Sequence, residues 1–189
     1  RLGYHAISAV PPFYYGYSFD ELKGAYATLA ATTDLPFLVY NIPKLTGVTL
    51  STAQLVELMG LPNVVGVKNT ASDYYALEQM RRAAPDKILL NGFDETLLAG
   101  YVMGGDGGIG STYNIQPDKV TGLRDAFRAG RIVEHFDRNP PVVSGIEQRF
   151  QNGFVFCLTH SRPQQVGVVH MEMPCFSGIF VNQLGNRFL

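Results

Sequence analysis

Short apolar runs alternate with amphipathic segments along most of the chain. The runs place aliphatic residues at consecutive positions, without the strict alternation of a half-exposed strand. This pattern is typical of parallel strands that are buried on both faces. The sequence predicts such strands at residues 6–10, 37–40, 64–68, 88–91 and 107–111.

The amphipathic segments between these runs carry the signals of helix ends. Ser18 with Glu21, and Ser51 with Gln54, have the spacing of a capping box, in which two side chains satisfy backbone amides at the start of a helix. Gly60 follows the second segment, where a left-handed residue commonly ends a helix. Further helices are predicted from Ser72 and Asp73 to just before Pro85, over residues 95–103 and over residues 117–129.

A strand followed by a helix, five times over, predicts an α/β fold with a parallel sheet. The pattern alone leaves two architectures open, a doubly wound sheet and a (β/α)8 TIM barrel. Because a complete barrel usually takes about 250 residues, a barrel here would be partial and would occupy residues 1–132. Prolines interrupt every later window, so we expect residues 133–189 to be an unpatterned C-terminal segment, non-native or disordered, in which residues 154–158 and 167–170 could pair as a hairpin.

Composition and charge narrow the range of partners. The formal net charge is -1, from 15 basic and 16 acidic residues, and neither sign forms a long block that would favour nucleic acid or a membrane surface. No apolar run approaches the roughly 20 residues that span a bilayer. The two cysteines, Cys157 and Cys175, are too few for a disulfide framework, which favours a cytoplasmic location. We therefore expect a small-molecule substrate or another subunit as the partner.

A lysine, Lys68, ends the third predicted strand directly after an apolar stretch. Burial there would disfavour the ammonium form and lower the pKa, which makes a lysine amine able to attack a ketone and form a Schiff base. Tyr40 ends the preceding strand, and neighbouring parallel strands would place the two tips side by side, so the phenol could relay protons. A lysine that extends into water and a tyrosine that packs under a loop remain open as alternatives.

Polar groups also follow the next two predicted strands. Asp94 and Glu95 come after the fourth strand, and Ser111 ends the fifth. Ligands of α/β folds bind at the carboxyl ends of strands, and carboxylates with hydroxyls suit a polyhydroxylated substrate. The alternative for the two carboxylates is a purely electrostatic role at a helix N-terminus.

Two other kinds of site are disfavoured. Gly105, Gly107 and Gly110 fit a G-x-G-x-x-G spacing, but they follow a helix and lead into a strand, which is the reverse of a dinucleotide site. The histidines have no ligand-like spacing, so we expect no metal and no cofactor. They are His5, His135, His160 and His170.

Four segments at the predicted strand ends together resemble one known family. They are Tyr-Asn-Ile-Pro from residue 40, Gly-Val-Lys-Asn-Thr from residue 66, Asn-Gly-Phe-Asp-Glu from residue 91 and Gly-Gly-Ile-Gly-Ser-Thr-Tyr-Asn from residue 107. Their order and spacing resemble the dihydrodipicolinate synthase / N-acetylneuraminate lyase family of class I aldolases, and the last two resemble its sialic acid branch. The resemblance covers roughly residues 1 to 135 and implies strands four to eight of a TIM barrel.

The resemblance implies a role for each motif residue. Lys68 would form the Schiff base with pyruvate, Tyr40 would relay protons, and Tyr14 would match a family tyrosine near the active site. The residues that would contact the sugar-derived part of the substrate are Thr70, Gly92, Asp94, Glu95 and Ser111. The family's Gly-Ser-Thr-Gly-Glu segment, which holds the pyruvate carboxylate, would precede residue 1, so we interpret the chain as a fragment that lacks the N-terminal part.

These observations support three hypotheses. The leading one is a lyase that cleaves N-acetylneuraminate to pyruvate and N-acetylmannosamine, with a homotetramer as the complete form. The second keeps the lysine chemistry but uses another aldehyde, as a dihydrodipicolinate synthase does. The third is a non-catalytic, truncated family member. Under each of these hypotheses, we expect the 189-residue chain alone to be inactive or weakly active.

Overall fold

The computed structural model describes residues 4–131 and 179–182. Six strands form one sheet, and helices follow the strands in regular alternation. The strands are β1 (Ala6–Ala9), β2 (Phe37–Asn41), β3 (Val64–Asn69), β4 (Ile88–Asn91), β5 (Gly107–Gly108) and β6 (Ile179–Asn182). The helices are α1 (Phe19–Ala31), α2 (Pro43–Thr46), α3 (Thr52–Met59), α4 (Tyr74–Ala83), α5 (Leu97–Val102) and α6 (Pro117–Arg128).

The order of the strands decides between the two architectures that the sequence left open. Strands β1 to β5 are neighbours in the order of the chain, and each pairs in parallel with the next. A doubly wound sheet would reverse its strand order at a switch point, which these five strands do not do. The consecutive order is that of βα units along a TIM barrel, so the sheet is a segment of such a barrel.

The two faces of the sheet carry different side chains. Val39, Val67 and Leu89 belong to a large cluster that also contains Tyr26 of α1 and Met80 of α4, so this face packs on the helices. Leu38 and Leu90, each adjacent to a member of the large cluster, form a second, smaller cluster with Ile109 on the opposite face. Because successive strand residues point to opposite faces, the second cluster marks the inner face of the barrel segment.

Three of the predicted helix starts are confirmed in detail. Both capping boxes are present: Ser18 pairs with Glu21, and Ser51 pairs with Gln54. Asp73 caps α4 by accepting a hydrogen bond from the backbone amide of Ala76 at 2.9 Å. A cap of this kind stabilises a helix by about 1 kcal/mol.

Some boundaries differ from the predictions. Gly60 ends α3 in a right-handed conformation, with φ of -75°, so the expected left-handed residue is wrong. The left-handed residue after α3 is Asn63, with φ of 64°. The fifth strand is shorter than predicted and covers two residues. The helix predicted from residue 95 begins instead as a 3-10 turn, Asp94–Thr96, which leads into α5.

The outer strands of the sheet have different surroundings. β6 pairs antiparallel with β1, and Ile179 lies opposite Ala9 in this register. At the other end, β5 pairs with β4 alone among the described strands. The hairpin predicted from residues 154–158 and 167–170 lies outside the described residues. Within the ranges 4–131 and 179–182, none of the helices has the length and apolar character needed to cross a membrane.

Candidate active site

Lys68 and Tyr40 lie side by side on the inner face of the barrel segment. They are register partners on β3 and β2, as predicted. The lysine Nζ lies 4.0 Å from the centroid of the Tyr40 ring. The exposed fractions of Lys68 and Tyr40 are 4% and 6%, so the amine sits among protein atoms and not in water. The alternative of a lysine that extends into solvent does not agree with this burial.

Thr70 and Gly92 meet just beyond the lysine. The backbone amide of Thr70 donates to the carbonyl of Asn41 at 2.8 Å, and that of Gly92 donates to the carbonyl of Asn69 at 3.0 Å, which extends the parallel pairing past the strand ends. A Cβ atom at position 92 would lie 1.8 Å from the Thr70 Oγ1, so only glycine fits there. Thr70 is buried, and its Oγ1 has no hydrogen-bond partner within the described part of the chain.

Asp94 connects the end of β4 to the segment after β5. Its Oδ2 accepts hydrogen bonds from the Thr112 backbone amide at 2.7 Å and from the Thr112 hydroxyl at 2.6 Å. Burial raises the pKa of the Asp94 carboxyl above its ordinary value of 3.8, while the Thr112 hydrogen bonds and the charge of Lys68 oppose this increase. Asp94 follows β4 and Lys68 ends the apolar part of β3, and these two strands are parallel neighbours.

The other predicted site residues lie at the same end of the sheet but are more exposed. Glu95 is exposed at the start of the 3-10 turn, and Ser111 is exposed just before a second 3-10 turn, Thr112–Asn114. Tyr14 follows β1, is 77% exposed and packs edge-on against Tyr15 at a centroid distance of 4.8 Å. Tyr14 therefore does not share the buried surroundings of Lys68.

A row of asparagines lies one residue beyond the lysine layer. Asn41, Asn69 and Asn91 are register partners on three adjacent strands, and all three are buried. Asn41 Nδ2 donates to Asn69 Oδ1 at 2.6 Å, and the Tyr74 hydroxyl donates to Asn91 Oδ1 at 3.2 Å. The sequence contained a signal for this row, because each of three predicted strands ends at or beside an asparagine. The Asn41–Asn69 hydrogen bond links the ends of β2 and β3 beside the site.

A cavity of about 320 Å³ lies beside this centre and not around it. Asn41, Asn69 and Thr70 line it together with residues of α3 and α4, whereas Lys68 and Tyr40 do not. It lies on the helix side of the strand ends, and Thr70 borders both this cavity and the candidate site. Among the residues that the structure describes, no cluster of three or more His, Cys, Asp or Glu side chains could hold a metal ion.

The comparisons with known proteins assign the chain to a family. The model of the dihydrodipicolinate synthetase family matches residues 1–175, so the chain belongs to this family.

More particular similarities are to N-acetylneuraminate lyases. The enzyme of that name from Rhizobium meliloti is 51% identical over 135 residues, which are 71% of this chain and 44% of the relative. A Clostridium difficile structure, CdNal in complex with mannosamine, matches with 43% identity and a TM-score of 0.69, over 72% of this chain and 47% of that one. A Ruminococcus gnavus sialic acid aldolase, studied as its catalytic lysine mutant, matches with 32% identity and a TM-score of 0.67, over 70% and 44%. The chain thus spans about half the length of the relatives it matches.

Proposed function

We propose that this chain provides the Schiff-base lysine of an N-acetylneuraminate lyase, with Lys68 as the amine that reacts with pyruvate. The observation that carries this proposal is the buried Lys68 beside Tyr40 at the carboxyl end of β3. The R. meliloti relative bears the name of this enzyme, and the R. gnavus relative is a sialic acid aldolase with a catalytic lysine. Both similarities support the proposal.

The chemistry requires an amine and a group that moves protons. In the cleavage direction, the neutral Lys68 amine attacks the ketone of the open-chain sugar acid, the carbinolamine loses water, and the iminium accepts the electron pair when the carbon-carbon bond breaks, which leaves the enamine of pyruvate on Lys68. Protonation and hydrolysis of this adduct release pyruvate and restore the amine, and in the reverse direction the amine reacts first with pyruvate. Tyr40 is proposed to carry protons to and from the carbinolamine and the aldehyde oxygen.

The sugar-derived part of the substrate is proposed to lie over the ends of β3, β4 and β5. Thr70, Asp94 and Ser111 offer hydroxyl and carboxylate oxygens there, with Glu95 and the backbone of Gly92 beside them. These groups pair with sugar hydroxyls through hydrogen bonds. Tyr14, which is exposed after β1, is proposed to reach the same region only when the loop or another subunit brings it there.

Reductive trapping tests the role of Lys68. The chain is incubated with pyruvate and borohydride and then digested, and the masses of its peptides are measured by mass spectrometry. We expect a stable pyruvate-derived addition on Lys68 that is absent from Lys68→Arg and retained in Lys44→Arg, a matched change of an exposed lysine. An addition on another lysine, with Lys68 unmodified, would disprove the assignment.

Aldehyde preference tests the identity of the acceptor. With pyruvate held constant, condensation with N-acetylmannosamine is expected and condensation with aspartate semialdehyde is not. The opposite preference would identify a dihydrodipicolinate synthase-like enzyme. Trapping on Lys68 with turnover of neither aldehyde, by this chain and also by a fusion that supplies the rest of a family barrel, would indicate a family member that forms the imine without completing catalysis.

We also propose a homotetramer in the complete form and a cytoplasmic location. The family resemblance supports the tetramer, and the use of two cysteines without a disulfide framework supports the compartment. Light scattering after gel filtration measures the oligomeric state directly. A monomer at micromolar concentration would contradict the tetramer for this chain.

A further inference from the structure

The carboxylate of Asp94 is held by the segment that follows β5. Both Thr112 groups that can donate, the backbone amide and the hydroxyl, bind the same oxygen, Oδ2, at 2.7 Å and 2.6 Å. The other oxygen, Oδ1, lies against Gly110, where a Cβ atom would come within 1.5 Å of it. The rotamer of Asp94 is therefore fixed from two sides.

The arrangement leaves one carboxylate oxygen for a ligand. No hydrogen bond among the described residues occupies Oδ1, while Oδ2 carries two. Thr112 itself is 9% exposed, so its hydroxyl is directed to Asp94 and is not presented to substrate. An oxygen fixed in this way accepts a hydrogen bond without first losing rotamer freedom, which favours binding.

We propose that Thr112 is a positioning residue that determines use of the sugar-derived substrate, because it holds Asp94 so that Oδ1 accepts a substrate hydroxyl. This inference rests on the proposed lyase function. Thr112 acts through Asp94 and has no part in imine formation at Lys68. Gly110 completes the arrangement by leaving room for the carboxylate.

The charged and titratable groups near Asp94 explain why the pKa of Asp94 depends on Thr112. Burial raises the pKa of Asp94, and the Thr112 hydroxyl gives the largest opposing effect, followed by its backbone amide. Glu95 adds to the increase and Lys68 opposes it. The Tyr113 hydroxyl also faces this carboxylate, whose charge contributes to the raised pKa of that phenol after the larger effect of burial. Loss of the Thr112 hydroxyl should therefore raise the pKa of Asp94 further.

A carboxyl titration tests the inference without depending on turnover. The full 189-residue chain is labelled with ¹³C at the aspartate carboxyl carbons, and Asp94→Asn assigns the Asp94 signal. We expect a higher pKa for Asp94 in Thr112→Val, which removes the hydroxyl and keeps the shape, and a wild-type value in Thr112→Ser. Thr121→Val, a threonine on α6 that bonds only its own helix, is the matched control and should leave the titration unchanged. An identical pKa in wild type and Thr112→Val would overturn the inference.

Kinetics then separate positioning from imine formation. For Thr112→Val we expect kcat/KM for N-acetylneuraminate to fall roughly tenfold, as for one lost hydrogen bond to a charged group. The acid limb of the pH profile of kcat/KM should move to higher pH. Pyruvate trapping on Lys68 should be unchanged, and Thr112→Ser should restore the wild-type profile. An equal loss of trapping and turnover would show a structural role and overturn the inference. Absence of pyruvate trapping on Lys68 in wild type would contradict the proposed function alone, because the carboxyl titration would still test Thr112.

Discussion

The charge state of Asp94 depends on its burial and on the groups around it. Burial favours the protonated carboxyl, and two hydrogen bonds from Thr112 with the charge of Lys68 favour the carboxylate. The raised pKa shows that burial has the greater effect. The folded chain therefore binds a proton at Asp94 more tightly than the unfolded chain does, which couples this residue to the pH dependence of stability.

Asp94→Asn should change stability in a pH-dependent way. Because the folded-state pKa of Asp94 is raised above its unfolded value, its contribution to stability is fully present below the unfolded pKa. The contribution is lost as pH rises through the folded pKa. The asparagine does not titrate, so the stability of Asp94→Asn relative to wild type should increase with pH across this range and then become constant.

Urea unfolding of both proteins from about pH 4 to about pH 8 measures this difference. Asp86→Asn, which removes an exposed carboxylate, controls for the change of net charge. A stability difference that is independent of pH, or one that decreases as pH rises, would show that the pKa of Asp94 is not raised by folding.

Asn63 joins three elements at the far end of the sheet from the site. It has φ of 64°, and its Nδ2 donates to the carbonyls of Ala30, Thr33 and Leu35 at 3.0, 3.0 and 2.8 Å. One side chain thus ties the turn before β3 to the end of α1 and the loop that enters β2. The position requires both a left-handed conformation and an amide donor, a combination that asparagine provides well.

We predict that Asn63→Gly destabilises the chain by about 1–3 kcal/mol, because it loses the amide donor and keeps the backbone conformation. Asn63→Ala should cost about 1 kcal/mol more, since a Cβ disfavours the left-handed region when no side-chain bond compensates. Chemical denaturation of the two variants beside wild type gives both numbers. Equal stability of glycine and alanine variants would mean that the backbone conformation carries no cost.

The elements themselves were largely predictable from local sequence. Capping boxes at Ser18 and Ser51 and the apolar strands before Tyr40 and Lys68 depend on residues close together in the chain, so the pattern located them. The errors fall where tertiary contacts determine the backbone conformation. Gly60 ends its helix in a right-handed conformation, and the left-handed residue is Asn63, whose side-chain amide donates to carbonyls more than 25 residues away.

The same distinction applies to the candidate site. The adjacency of Lys68 and Tyr40 follows from the parallel order of strands, and the sequence predicted it. The bond from Thr112 to Asp94 spans 18 residues and depends on the close approach that Gly110 permits, so no local pattern indicated it. The contribution of each predicted contact to catalysis stays a prediction.

At the scale of the whole molecule, the five consecutive βα units correspond to five of the eight units of a TIM barrel. β5 pairs only with β4 among the described strands, and every strand of a closed barrel has two neighbours. The inner face carries Lys68 and a small apolar cluster of Leu38, Leu90 and Ile109. The groups on this face need an opposite wall to form an enclosed substrate site.

We predict that joining this chain to the rest of a family barrel raises its turnover of N-acetylneuraminate by at least about a hundredfold. The fusion would place ahead of residue 1 the residues that precede the aligned region in the R. meliloti relative, of which the alignment covers 44%. The family resemblance locates the group that holds the pyruvate carboxylate in the added part. Holding the ketone against the Lys68 amine can lower the activation barrier by several kcal/mol.

Steady-state turnover of the chain and of the fusion, at equal concentration, measures the gain. A fusion with Lys68→Arg should show no gain because the added part lacks this lysine. Equal rates for the chain and the fusion would mean that the five units described here position pyruvate by themselves.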